Sequence, residues 1–78
     1  MNVNVDKVLD AKGLACPMPI VRTKKEMDKM EAGKVIEIHT TDKGAKSDLT
    51  AWASSGGHEL LGHEEDEGVF KFWIKKGN

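Results

Sequence analysis

The chain has 78 residues, twelve of them basic and thirteen acidic, for a formal net charge of −1. That length makes one domain, residues 1–78, which buries only about 60–65% of its unfolded surface: one thin core and no deep substrate cavity. Near-neutral charge gives no electrostatic ground for nucleic acid or an anionic membrane as the partner, no apolar run is long enough to span a bilayer, and Met1 to Val5 lack the basic start and apolar stretch of a signal peptide.

A single cysteine excludes an internal disulfide and the usual two-cysteine zinc cluster. The expected setting is therefore the cytoplasm, with no metal and no cofactor. The three histidines, His39, His58 and His63, lack metal-ligand spacing. His58 and His63, five apart in a predicted strand, are expected on opposite faces as solvent-facing side chains.

Six elements follow in order. Val5 to Ala11 is a short strand ended by Gly13. Pro17 to about Ala32 reads as a helix, since prolines at its first and third positions remove amides that lack intrahelical partners anyway. Ile20, Thr23, Met27 and Met30 share its apolar face, Arg22, Lys25, Glu26 and Lys29 lie opposite, and Gly33 stops it. Val35 to Thr41 alternates as a strand covered on one side, with Ile36, Ile38 and Thr40 on one face and Val35, Glu37 and His39 on the other. A second helix over Ala45 to Ser55 enters through Asp42-Lys43-Gly44, turns Leu49, Trp52 and Ala53 inward, and ends at Gly56-Gly57. His58 to Glu64 and Val69 to Lys75 make two strands around a solvated acidic turn, Glu65 to Gly68. Phe70, Phe72 and Ile74 point inward, and alternation puts Trp73 opposite them on an exposed face, where it either docks a partner or, the preferred reading, covers sheet surface.

The order β-α-β-α-β-β implies an α/β two-layer sandwich, a four-stranded mixed sheet with two helices on one face. If the first two strands are parallel, the loops leaving them, residues 12–16 and 42–46, share one edge of the sheet, where open α/β folds place their sites. Cys16 and the Asp42-Lys43-Gly44 turn are then expected as neighbours.

Cys16-Pro17-Met18-Pro19 is the segment that propensity does not explain. Both prolines of the chain lie here, a coincidence expected about once in 400 cysteines. They fix the backbone where the helix begins and leave Cys16 at or beside the N-cap, next to free amides. An unperturbed thiol, with a pKa near 8.5, is only about 3% ionised at neutral pH. A helix N-terminus contributes about 0.3–1 kcal/mol, up to about 2 when partly buried, which is about a quarter to one and a half pKa units. Lys12, Arg22, Lys43 and Lys46 are the cations available to add to it. No histidine or carboxylate adjoins Cys16 in sequence, Asp10 being six residues upstream, although the fold could bring His39 closer; cysteine–histidine hydrolysis is thus poorly supported. One cysteine cannot complete a dithiol cycle. A lone activated thiol can accept a group and pass it on. The competing reading is a regulatory or redox-sensing binding module in which Cys16 is structural or becomes oxidised.

The run Leu9-Asp10-Ala11-Lys12-Gly13-Leu14-Ala15-Cys16-Pro17-Met18-Pro19 resembles the signature of the TusA/SirA-like sulfur-carrier family, in which an Asp-x-x-Gly-x-x-Cys-Pro-x-Pro segment joins the first strand to the first helix. The resemblance continues through Val21-Arg22-Thr23-Lys24-Lys25, Gly33-Lys34, an aspartate after the second strand, Gly57-His58-Glu59-Leu60 and Ile74-Lys75-Lys76. It implies a fold similar to the C-terminal domain of bacterial translation initiation factor three. It also implies a sulfurtransferase role in which Cys16 accepts sulfane sulfur as a persulfide from a cysteine desulfurase or rhodanese-like donor and yields it to a DsrE-like or other thiol acceptor. Gly13, Pro17 and Pro19 would shape the site; Lys12, Arg22, Asp42 and Lys43 would meet partner proteins. Where the family often has Asp-Pro, this chain has Asp42-Lys43-Gly44, a departure that bears on which partners dock. The analogy with an initiation factor suggests RNA binding, but near-neutral charge and few aromatic side chains argue against it.

Overall fold

The computed structural model describes residues 4–15 and 18–77. Six elements form in the expected order: β1 (Lys7–Ala11), α1 (Met18–Asp28), β2 (Val35–Thr40), α2 (Ala45–Ser55), β3 (Glu59–Asp66) and β4 (Val69–Lys75). The strands lie side by side as β1-β2-β4-β3. β1 runs parallel to β2, and β4 runs antiparallel to both β2 and β3. This is the predicted four-stranded mixed sheet with two helices.

The alternation in β2 and β4 decides which face is covered. Leu9, Ala11, Ile36, Ile38, Phe72 and Ile74 share one core with Met27 of α1 and with Ala45, Leu49 and Ala53 of α2. Burial of each large side chain stabilises the fold by about 1.5–3 kcal/mol. Among the described residues, Thr23 and Thr40 are the buried polar ones. The Thr23 hydroxyl donates to the Pro19 carbonyl at 2.7 Å, and Thr40 Oγ1 accepts from the Asp42 amide at 3.2 Å. Neither therefore carries the penalty of an unmet buried polar group.

Several boundaries differ from expectation, each through a contact distant in sequence or a turn with special backbone angles. β1 starts at Lys7 rather than Val5; just before it, Asp6 exchanges its amide with the Val35 carbonyl and its carboxylate with the Val35 amide, each at 2.9 Å. α1 stops at Asp28 rather than Ala32. Its last turn tightens, with Lys29 and Met30 amides donating three residues back to Glu26 and Met27. Lys76 then reaches across the chain and donates to the Met30 carbonyl at 2.5 Å. Gly33 lies beyond the helix, in the turn into β2, at φ +89.

The β3–β4 hairpin is longer and tighter than predicted. Asp66 pairs with Val69, so the turn is two residues, Glu67 (φ 50) and Gly68 (φ 80). Positive φ at both central positions is the turn that matches strand twist. A register irregularity between Leu60 and Gly62 breaks the parity on which the His58–His63 comparison rests. His58 precedes β3, half-buried, its ring 5.0 Å from that of Trp52. His63 is exposed and 6.1 Å from Phe72, ring to ring.

Trp73 is neither exposed nor apolar cover alone. It is only 5% exposed, on the sheet face away from the helices, and its indole N–H donates to Glu37 Oε1 at 2.7 Å. Glu37 Oε2 in turn accepts from His39 Nε2 at 2.5 Å. The His39 bond, and secondarily the Trp73 bond, hold the Glu37 carboxyl below the usual range against the opposing effect of burial.

Candidate functional site at the carboxyl edge of the sheet

Ala11 pairs with Thr40, so both parallel strands finish at the same level. Their outgoing loops leave side by side, as the strand order requires. Phe70, the second residue of β4, also pairs with Thr40, so the acidic hairpin tip projects from this same edge.

The first loop is shaped locally. Lys12 donates its amide to Asp10 Oδ1 at 3.0 Å, and Leu14 donates to the Ala11 carbonyl at 3.2 Å. Gly13 adopts φ +81, with open space where a Cβ would stand. Glycine is needed here for backbone conformation and not for room. Leu14 folds back onto the core. Cys16 and Pro17 lie outside the described residues. Their neighbours Ala15 and Met18 are joined by a bond of 2.9 Å from the Met18 amide to the Ala15 carbonyl. Pro19 is buried in the first turn of α1, whereas Met18 and Arg22 are exposed.

The second loop is organised by Asp42. Its Oδ1 accepts from the Gly44 amide at 3.3 Å, and its carbonyl accepts from the Ala45 amide at 3.1 Å. The bend thus closes into α2 without a side chain on the N-cap itself. Asp42 Oδ2 is buried and has no hydrogen-bond partner. Lys43, like Lys12 across the gap, is exposed.

Between the two loops lies a shallow hollow of about 380 Å³ lined by Gly13, Leu14, Ala15, Thr41, Asp42 and Lys43. The expected neighbourhood of the two loops is therefore present: of the sequence-derived residues, Gly13, Asp42 and Lys43 line one surface, Lys12 adjoins it, and Arg22 lies further along α1. Sequence reasoning missed Thr41, whose Oγ1 accepts the Gly13 amide at 2.9 Å. It also missed the Trp73–Glu37–His39 chain. The Gly13–Thr41 and Trp73–Glu37 bonds join partners 28 or more residues apart, which neither spacing nor periodicity reports; Glu37 and His39 are two apart on one strand face.

The site can present a side chain from the first loop to another molecule at an open surface. His39 is engaged by Glu37 on the sheet face away from the helices. Among the described residues, no group of three or more His, Cys, Asp or Glu side chains is placed to hold a metal ion, and no helix is long and apolar enough to cross a membrane.

Fold and site together define a small α+β domain whose cysteine-bearing loop joins a parallel strand to a helix at an accessible edge. Residues 7–76 match the model of the sulfurtransferase TusA family, and the chain belongs to that family. It is 67% identical to YrkI of Bacillus subtilis over 72 residues, which are 92% of this chain and 96% of YrkI. It is 45% identical to the sulfur carrier protein TusA of Allochromatium vinosum over 71 residues, 91% of this chain and 93% of that one. The crystal structure of a SirA-like protein from Desulfitobacterium hafniense superposes with a TM-score of 0.75 at 32% identity, covering 92% of this chain and 99% of that one.

Proposed function

We propose that this protein is a cytoplasmic sulfur carrier, a single domain over residues 1–78, that accepts sulfane sulfur on Cys16 and hands it to another protein. The observation that supports this reading is the open hollow at the carboxyl edge of the sheet, lined by Gly13, Leu14 and Ala15, the residues just before Cys16 in sequence, in a member of the sulfurtransferase TusA family. The cytoplasm keeps a lone thiol reduced and available.

In the loading step the Cys16 thiolate attacks the outer sulfur of a donor persulfide. A new S–S bond forms at Cys16 as the donor's S–S bond breaks, and the donor leaves as a thiolate. Delivery repeats the exchange: an acceptor thiolate takes the outer sulfur and Cys16 is released as thiolate. No net oxidant or reductant is required. Donors of the cysteine desulfurase or rhodanese-like class and acceptors of the DsrE-like or other thiol class fit this chemistry. Gly13, Pro17 and Pro19 set the loop and helix start, while Lys12, Arg22, Asp42 and Lys43 supply the charged surface a partner meets.

The test is intact mass after incubation with a cysteine desulfurase and cysteine, or with a rhodanese and thiosulfate. The wild type gains one sulfur atom and loses it to reductant, and Cys16→Ser gains none. A wild type that stays unmodified with both donors contradicts the reading.

A further inference from the structure

Each loop at the site edge is built from bonds within itself. Lys12 binds Asp10 and Leu14 binds Ala11 in the first; Gly44 and Ala45 bind Asp42 in the second. Among the described residues, the hydrogen bond between the loops is the one from the Gly13 amide to Thr41 Oγ1, at 2.9 Å across 28 residues of sequence. It falls on Gly13, the residue of the first loop with positive φ. Thr41 is itself exposed, so its side chain is not held there to fill the core.

We propose that Thr41 is a positioning residue for the sulfur-accepting site: its hydroxyl fixes the Gly13 turn, and with it residues 13–15, which precede the cysteine in sequence. The proposal rests on the sulfur-carrier reading for its consequence in transfer, but not for the tie itself. The donor is the Gly13 backbone amide, and among the described residues its acceptor is the Thr41 hydroxyl oxygen. Serine preserves that acceptor. Valine keeps the branched shape and removes it. Displacement of a reacting group by a fraction of an ångström to an ångström is enough to slow an in-line exchange by one to two orders of magnitude.

The experiment compares wild type, Thr41→Val and Thr41→Ser in three measurements: amide hydrogen exchange at Gly13, the pH profile of Cys16 alkylation by iodoacetamide, and the rate of sulfur loading from a desulfurase. In Thr41→Val the Gly13 amide exchanges about tenfold faster, as expected for a lost bond. The alkylation profile moves to higher pH, and loading kcat/KM falls about tenfold. Thr41→Ser restores all three. A Thr41→Val protein within twofold of wild type in Gly13 exchange and alkylation profile overturns the proposal, as does a Thr41→Ser protein that behaves like Thr41→Val. If Thr41→Val does not fold, Gly13 exchange in the wild type decides: protection supports the tie, and exchange at the unprotected rate overturns it. A wild type that takes no sulfur from any donor, with exchange and alkylation still responding to Thr41, refutes the carrier reading and leaves the positioning role standing.

Discussion

The two ends of the sheet are held in different ways. At the end away from the site, the chain is stitched by bonds between segments far apart in sequence. Asp6 and Val35 exchange two bonds. The Gly33 amide donates to the Lys76 carbonyl and the Lys76 amide to the Lys34 carbonyl, both at 2.8 Å. Lys76 Nζ caps Met30, and the Gly77 amide donates to His58 Nδ1 at 3.1 Å. At the site end, the loops carrying Gly13 and Asp42 are tied to each other, among the described residues, by the Thr41 hydroxyl. Among the described residues, the cross-links thus concentrate at the end away from the site, which is consistent with the proposal that the site end meets other proteins.

The comparison can be broken most forcefully at the stitched end. Removing residues 76–78 deletes the four bonds made by Lys76 and Gly77 and is expected to lower stability by about 2–4 kcal/mol. Urea denaturation measures it, and a loss below about 1 kcal/mol would show that this end is not where the fold is secured.

A smaller effect is expected midway along the sheet, at Glu37. Its carboxyl is lowered in the fold, so its contribution is fully present above its ordinary value of 4.5 and is lost as pH falls through the folded value. Glu37→Gln is expected to cost about 1–2 kcal/mol at neutral pH through weakened bonds to His39 and Trp73. The gap between variant and wild type should then close in acid. Urea midpoints at pH 7 and pH 3 check this, and a gap that stays constant or widens in acid contradicts it.

The site edge offers the smallest changes. Glu67 holds φ 50 at the hairpin tip, a conformation that asparagine tolerates better than glutamate. Glu67→Asn should stabilise by about 0.5–1 kcal/mol, read as a rise in Tm. Thr41→Val should change global stability by less than about 0.5 kcal/mol even as it frees the Gly13 amide, because an exposed tie between loops adds little to the whole.

The contrast also explains what could be read from sequence. The element order, the inward faces of β2 and β4 and the bounds of α2 and β4 follow from period-two and period-3.6 patterns, because one face of each element meets the core. The end of α1 is not legible because the Lys76 side chain that binds the Met30 carbonyl lies 46 residues away. The burial of Trp73 leaves no local signal because Glu37, which accepts its N–H, lies 36 residues away. Acidic residues have low strand propensity, so periodicity gives a wider hairpin tip than the fold, in which pairing continues to Asp66. At the site, Gly13 and Asp42 were legible as turn residues, and parallel β1 and β2 brought their loops together as topology demands. Thr41 gave no signal, since a single hydroxyl accepting an amide across the fold leaves no pattern in the chain.

The most direct test locates the sulfur. Load the protein with a cysteine desulfurase and cysteine, remove the donor, and divide the sample; alkylate one portion at once and the other only after it has reacted with a DsrE-like acceptor, then map the peptides of both by mass spectrometry. A carrier shows one extra sulfur on the Cys16 peptide, which then moves to the acceptor's cysteine. No extra sulfur on Cys16, or one that the acceptor never receives, contradicts the hand-off role.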